Sequence, residues 1–408
     1  MTTRPVLGLV ALRLAAIVAT GCCGSACTRP GAPSPAWQAT PTASAPALIG
    51  ADAGNATAVN APPGGAALAS LRPALRRGFN LGNALDAPNE GDWGVVLAAS
   101  DFVGIKQAGF DHVRLPARFS AHAAESAPYA ISPDFLARVD WAIDNALANG
   151  LAIVLDFHHY KEMMERPDDN RARFVAIWRQ LAERYRARPE SVVFELLNEP
   201  SDKLTADQWN GTLAEALAAV RASNPTRAVV VEGIFWASAH NLRYTLKLPK
   251  DPNLVGSFHM YQPILLTHQG ASFMPPEYDT VGIVFPGPPS QPVSPGPGAS
   301  RVDWVTKWLK RYNEQPAATN PSGPATIAEE MDLAQGFAEA THLPVYMGEF
   351  GCIDRADART RELWVRETRK QAESRGFGWA YWDDGGAFKA YDRASRSWVP
   401  YLKSALLD

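Results

Sequence analysis

Cysteine is scarce in this 408-residue chain, and the four that occur are not arranged for pairing. Cys22, Cys23 and Cys27 crowd the N-terminus, whereas Cys352 stands alone near the C-terminus. This spacing excludes a disulfide framework and a spaced set of cysteine metal ligands. We interpret Cys352 as a small buried hydrophobic residue.

An excess of positive charge is also lacking. The chain has 39 Lys and Arg against 42 Asp and Glu, a formal net charge of −3, so nothing indicates electrostatic capture of nucleic acid. No later segment has the roughly 20 consecutive apolar residues that span a bilayer. A Gly-x-Gly-x-x-Gly motif does not follow the first strand-like segment, which counts against an open dinucleotide-binding sheet.

The first 27 residues have the order of an export signal. Arg4 and Arg13 are basic, residues 14–20 form a short apolar run, and small residues precede Cys22. This order resembles a bacterial lipoprotein signal, in which the cysteine becomes acylated. We therefore expect an exported protein, either anchored to a membrane through Cys22 or secreted.

Residues 28–65 are rich in Pro, Ala, Thr, Ser and Gly and have almost no aliphatic periodicity. Such a composition buries too little surface to offset its ordering entropy, so it predicts a disordered linker. The linker would act as a spacer or be a tail without function. From residue 66 to residue 408 no comparable break occurs, which indicates one catalytic domain.

Strand-like and helix-like segments alternate through that domain. Apolar residues recur at helical spacing in 133–149, 171–188, 204–222 and 356–375. Eight strands alternating with helices predict an α/β fold of the (β/α)8 TIM-barrel type, with an open doubly wound sheet as the alternative. The predicted strands are 77–81, 112–115, 152–157, 192–197, 228–231, 254–258, 344–347 and 378–382.

Two of the predicted strands lead into glutamates. Residues 192–197 precede Asn198-Glu199-Pro200, and residues 344–347 precede Gly348-Glu349. Carboxylates at the C-terminal ends of barrel strands lie where such enzymes place their chemistry. Two facing carboxylates are what hydrolysis of a glycosidic bond requires.

Polar and aromatic residues follow the other strands in a pattern that resembles glycoside hydrolase family 5. The family set is complete here as Arg114, His158, Asn198-Glu199, His259-x-Tyr261, Glu349 and Trp382. The segments 78–94, 158–160 and 267–271 are similar to the Thermotoga-type endoglucanases within it. This resemblance implies a retaining endo-β-glycanase that cleaves β-1,4-glucan, or β-mannan in some members, without a cofactor.

The resemblance assigns roles to the site residues. Glu199 is expected to be the acid/base and Glu349 the nucleophile, about 5–5.5 Å apart. Arg114 would keep Glu349 ionised, and Tyr261 would donate a hydrogen bond to it. Asn198 would hold the sugar 2-hydroxyl. His158 and His259 would fix this network by hydrogen bonds.

Further residues are expected to bind substrate. Trp382 would stack under the sugar at the cleavage point. Phe273 stands where close relatives often have Trp. Adjacent His158 and His159 do not predict a metal site, because neighbours on a strand point to opposite faces. The complete set of expected substrate-binding residues is Asn83, Asp86, His159, Tyr160, His268, Phe273 and Trp382.

Several alternatives remain open from sequence. The scaffold would equally serve a β-mannanase, a β-1,3-glucanase, a transglycosylase or a non-catalytic glycan-binding lipoprotein. The proline-rich segment 285–298 forms either one wall of the cleft or an inert surface insertion. We expect the partner to be a polysaccharide or oligosaccharide and the protein to be a monomer.

Overall fold

Eight parallel strands close into a barrel in which each strand pairs with the next and β8 returns to β1. The computed structural model describes residues 72–383 and 385–408. The predicted signal segment 1–27 with Cys22, the linker 28–65 and the first residues of the predicted catalytic domain lie outside the described residues. The (β/α)8 prediction is confirmed, and closure of the sheet rules out the open doubly wound alternative.

The barrel strands are short and buried, as the inner wall of a parallel barrel requires. Their bounds are β1 Arg77–Asn80, β2 His112–Ala117, β3 Ala152–Phe157, β4 Val192–Glu195, β5 Val229–Glu232, β6 Leu254–Met260, β7 Val345–Phe350 and β8 Gly378–Tyr381. A two-stranded hairpin, β9 Tyr391–Asp392 and β10 Ser397–Trp398, follows the barrel.

Helices surround the strands. Their bounds are α1 Ala99–Ala108, α2 Pro133–Ala148, α3 Lys161–Glu165, α4 Pro167–Tyr185, α5 Ala206–Arg221, α6 Ala239–Tyr244, α7 Ile264–Thr267, α8 Asp303–Glu314, α9 Pro324–Thr341, α10 Ala358–Ser374 and α11 Pro400–Leu407. Single 3₁₀ turns occur at Arg72–Leu75, Phe119–Ala121, Pro276–Tyr278 and Ala299–Arg301. In the described part of the chain, no helix combines the length and apolarity needed to cross a membrane.

Local sequence explains where the predicted helices begin. Ser132 accepts the Phe135 amide and Pro133 occupies the first turn of α2. Thr205 and Gln208 form a capping box at α5, and Asp357 accepts the Thr360 amide at α10. The four predicted helices therefore agree with α2, α4, α5 and α10, although α4 begins four residues earlier than predicted.

Strands β6 and β7 extend further than predicted, which changes the setting of two site residues. His259 and Glu349 lie inside these strands and pair with each other, because apolar Met260 and Phe350 continue the ladder. The register shifts between Phe258 and His259, and again between Met347 and Phe350. Such irregularities re-aim side chains and are common beside active sites.

The proline-rich segment 285–298 packs on outer elements of the barrel. Its amides donate to side chains of Thr360 at α10, Asn313 at α8 and Asp279 in the preceding loop. None of these three partners in the described part of the chain is a predicted site residue. The part of this long β6–α9 connection that approaches the barrel mouth is instead 268–273.

Candidate active site

Two glutamates confront each other at the C-terminal end of the barrel. Glu199 lies four residues beyond β4, and Glu349 lies in β7. One oxygen of each carboxylate and one ring nitrogen of His259 all lie within 4.8 Å of one another. Because one oxygen of each carboxylate comes this close to the other, the pair favours the short spacing of a retaining glycosidase, about 5–5.5 Å, over the roughly 6.5–9.5 Å of an inverting one, which must admit a water molecule.

Glu349 is almost fully buried and is held at both oxygens. Oε1 accepts from Arg114 Nη1 at 2.8 Å, and Oε2 accepts from the Tyr261 hydroxyl at 2.8 Å. Burial raises the pKa of Glu349 above its ordinary value, and the charges of His259 and Arg114 and the Tyr261 hydroxyl offset part of this rise. These contacts orient the carboxylate and favour its ionised form.

Arg114, fully buried in β2, uses all of its donors. Besides Glu349, its guanidinium donates to both oxygens of Glu195, to Asn80 Oδ1 at 3.0 Å and to Asn198 Oδ1 at 2.7 Å. A guanidinium has five N–H groups, and these five bonds engage every one. Since Asn198 accepts through its carbonyl oxygen, its amide NH₂ is left as the group that can donate to a sugar hydroxyl.

Glu199 is held in a strained main-chain conformation. Its φ is 48°, in the left-handed region that non-glycine residues seldom adopt. Its amide donates to Glu232 Oε2 at 2.6 Å, and its side-chain Oε1 lies 2.8 Å from His259 Nδ1. The side chain is 28% exposed, so it can reach a bound ligand.

His158 and His159 lie together, which corrects the expectation that they point to opposite faces. β3 ends at Phe157, and His159 adopts φ 53°, so the two rings meet at 4.3 Å between centroids. His158 Nδ1 is 2.5 Å from Asp156 Oδ2. Burial lowers the pKa of His158 and raises that of Asp156, so both groups favour their neutral forms.

Trp382 lies at the mouth beside His158, and their rings are parallel at 5.6 Å. The Trp382–Asp383 peptide bond is cis. Asp383 is buried and accepts from the Asn83 side chain. The partner of Asp383 is therefore protein.

Asp86 is buried beneath the cleft and not exposed in it. It accepts the amides of Asn83 at 3.0 Å and Ala84 at 2.8 Å, which shapes the β1 loop. Its Oδ2 is 4.0 Å from His159 Nε2. Burial raises the pKa of Asp86 and of Asp383 to about 7 each.

The prediction that Tyr160 lines the substrate cleft is wrong. Its ring stacks on Phe157 at 5.2 Å in the core, and its hydroxyl donates to Asn170 Oδ1 at 3.1 Å. The chain turns at His159, which directs Tyr160 inward, towards α4.

His268, by contrast, has its ring centroid 4.9 Å from that of Tyr261, and Phe273 is 61% exposed beside it.

Sequence reasoning missed three groups around the site. Glu195 and Glu232 are fully buried acids at the ends of β4 and β5, and each stands in an otherwise apolar run. A single acid within an apolar strand was the sequence signal that could have identified these two residues. The third group is exposed Trp93, whose ring lies edge-on to that of His159 with 5.5 Å between centroids. Trp93 lies in a loop within segment 78–94, for which the sequence predicted a family resemblance but no individual role for this residue.

Among the residues that the structure describes, three clusters bring potential metal ligands within 4.8 Å: Asp86 with His158 and His159, Glu195 with Glu232 and His259, and Glu199 with His259 and Glu349. In the second and third clusters the carboxylates already contact His259 or Arg114. The first cluster has the donor types that a transition metal prefers.

Comparison with known proteins identifies relatives of the whole barrel. A family model described as cellulase (glycosyl hydrolase family 5) matches residues 77–387. The chain is 31% identical over 339 residues to endoglucanase H of Acetivibrio thermocellus, covering 81% of this chain but only 32% of that protein. It is 26% identical over 328 residues to endoglucanase C of the same organism, covering 76% and 91%.

Solved structures with the same fold include Cel5A of Thermotoga maritima in complex with cellobiose, at 36% identity and TM-score 0.71 over 83% of this chain and 99% of that one. The same enzyme in complex with mannotriose matches at 35% identity and TM-score 0.71, with the same coverage. Cellulose synthase subunit Z of Clostridioides difficile matches at 31% identity and TM-score 0.71, covering 82% and 100%.

The Tyr261 hydroxyl is expected to lower the pKa of Glu349, and its removal tests this contact. In Tyr261→Phe the pKa of Glu349 should rise, because a donor to the ionised form is lost. Carbon-13 NMR titration of the Glu349 carboxyl measures the change. Tyr160→Phe is the control, since that hydroxyl contacts Asn170; an unchanged titration in Tyr261→Phe would contradict the assignment.

Proposed function

The chain belongs to glycosyl hydrolase family 5, and from this membership we propose that it is an endo-acting hydrolase of β-1,4-glucan that retains anomeric configuration. The observation that carries the proposal is the pair of carboxylates with oxygens within 4.8 Å, one buried and ionisable, the other partly exposed. The two Acetivibrio thermocellus relatives, which are endoglucanases, support the substrate class.

In the first step Glu349 attacks the anomeric carbon while Glu199 protonates the departing sugar oxygen. Arg114 and Tyr261 hold the two oxygens of Glu349, so the attacking carboxylate does not rotate away from the carbon. The Asn198 amide, oriented by Arg114, donates to the sugar 2-hydroxyl, a contact that strengthens as the ring approaches its oxocarbenium-like transition state.

In the second step Glu199 acts as a base. Once Glu349 is esterified it carries no charge, and the carboxylate of Glu199 takes a proton from an incoming water. That water attacks the same anomeric carbon, and Glu349 leaves as a carboxylate. The two displacements together return the original configuration.

Side chains at the barrel mouth support the binding of a sugar. Trp382 offers an aromatic face there, parallel to the ring of His158, whereas Asp86 and Asp383 are buried and bonded to Asn83. Cel5A of Thermotoga maritima is solved with both cellobiose and mannotriose. On that observation β-mannan is the second candidate substrate.

Glutamine substitution tests the catalytic pair. Glu199→Gln and Glu349→Gln should each lower kcat on cello-oligosaccharides by at least about 10²-fold, because each removes a group that acts in the transition state. Azide should restore turnover of an activated aryl glycoside in Glu199→Gln alone. Exposed Glu215→Gln is the control. Turnover at the wild-type rate in either catalytic variant would contradict these roles.

A panel of soluble polysaccharides tests the substrate. We expect the highest kcat/KM on β-1,4-glucan, lower activity on β-mannan, and little on β-1,3-glucan, all measured as released reducing sugar. Products of intermediate length early in the reaction would indicate endo action, and long products at high substrate concentration would indicate transglycosylation. Binding without hydrolysis of any polymer would favour the non-catalytic alternative.

We further propose that the protein is exported and that Cys22 is acylated. The proposal is supported by the basic residues, short apolar run and small residues that precede this cysteine. Mass spectrometry of the mature N-terminus from a bacterial membrane fraction should find a diacylated Cys22. Cleavage elsewhere would show simple secretion, and an intact Met1 in the cytosol would contradict export.

A further inference from the structure

Glu232, at the end of β5, contacts the acid/base through two independent routes. Its Oε2 accepts the Glu199 amide at 2.6 Å. Its Oε1 lies 2.9 Å from His259 Nε2, while His259 Nδ1 lies 2.8 Å from Glu199 Oε1. One buried carboxylate thus touches both the main chain of Glu199 and the ring that holds its side chain.

The first route restrains the strained main chain. A non-glycine residue at φ 48° is unfavourable and persists only where its surroundings hold it. A carboxylate acceptor forms a stronger hydrogen bond to an amide than a neutral group does. Glu232 is itself anchored, since its carbonyl accepts from Trp209 Nε1 at 2.8 Å and its Oε1 from the Ser257 hydroxyl at 3.2 Å.

The second route controls the charge of His259. Burial alone would lower the pKa of this imidazole, but Glu349, Glu232 and Glu199 raise it well above its ordinary value. Burial likewise acts to raise the pKa of Glu232. The charge of His259, its contact with Glu232 and the charge of Arg114 outweigh burial and lower this pKa to about 2. Both shifts favour an imidazolium paired with a carboxylate.

The protonation state of His259 decides where Glu199 can carry its proton. A charged imidazole has N–H on both nitrogens, so Nδ1 must donate to Glu199 Oε1. A carboxyl group that accepts at Oε1 carries its own proton on Oε2. If His259 were neutral with Nδ1 unprotonated, that nitrogen would instead accept the Glu199 proton at Oε1, away from a leaving group.

We propose that Glu232 is a positioning residue for the acid/base: it anchors the main chain of Glu199 and keeps His259 charged, so that the transferable proton of Glu199 sits on Oε2. This inference rests on the proposed hydrolase function. In the first step that proton passes from Oε2 to the glycosidic oxygen, and Glu199 is left as a carboxylate that still accepts from His259.

Glu232→Gln tests the proposal with two substrates. Cellotriose has a poor leaving group and needs proton donation, whereas dinitrophenyl cellobioside does not. We expect kcat/KM on cellotriose to fall between about tenfold and a hundredfold, and kcat/KM on the aryl glycoside to stay within about threefold. Glu195→Gln is the matched control: this buried acid forms its hydrogen bonds with Arg114 and is not bonded to His259, so its loss should lower both values by a similar factor.

Nitrogen-15 NMR of His259 gives a readout independent of turnover. In the wild type both ring nitrogens should remain protonated at mildly alkaline pH, and in Glu232→Gln the ring should lose a proton at lower pH. The proposal would be overturned if Glu232→Gln lowered kcat/KM equally on both substrates, or if His259 titrated identically in the wild type and in Glu232→Gln. If Glu232→Gln does not fold, the wild type alone still tests the proposal: a neutral His259 at mildly alkaline pH would overturn it. A wild type inactive on cellotriose with a charged His259 would instead refute the proposed function.

Discussion

The site depends on the compensation of several buried carboxyl groups by Arg114 and, in its proposed charged form, by His259. Arg114 contacts Glu195, Asp156 and Glu349, and His259 lies against Glu349 and other acids from a neighbouring strand. A buried carboxylate without a partner would take up a proton or destabilise the fold. Glu349, the proposed nucleophile, can be ionised inside the barrel only because these charges are held opposite it, and the strand registers are what hold them there.

The two glutamates differ in how they are held, which suits the different tasks proposed for them. Glu349 projects from a strand and is fixed at both oxygens, whereas Glu199 stands on a strained turn and keeps one oxygen free of His259. A nucleophile benefits from rigid aim, because displacement of about an ångström costs much of its rate. An acid/base must exchange protons with ligands, which requires an exposed atom.

The barrel and most of the site could be predicted because both depend on short-range patterns. Eight apolar runs with polar residues after them predict strands, and the C-terminal ends of barrel strands converge. Glu195 and Glu232 could not be assigned partners, because their contacts come from strands distant in sequence. The arrangement of His159 and Tyr160 depends on the backbone angle of one residue, which alternation along a strand does not reveal.

All five N–H groups of Arg114 are engaged by Glu195, Asn80, Glu349 and Asn198. Lysine has three donors and no planar fork, so it would leave buried acceptors unsatisfied. No single conservative exchange at this position preserves the arrangement. Over evolutionary time the core of the site should therefore change as a group or not at all.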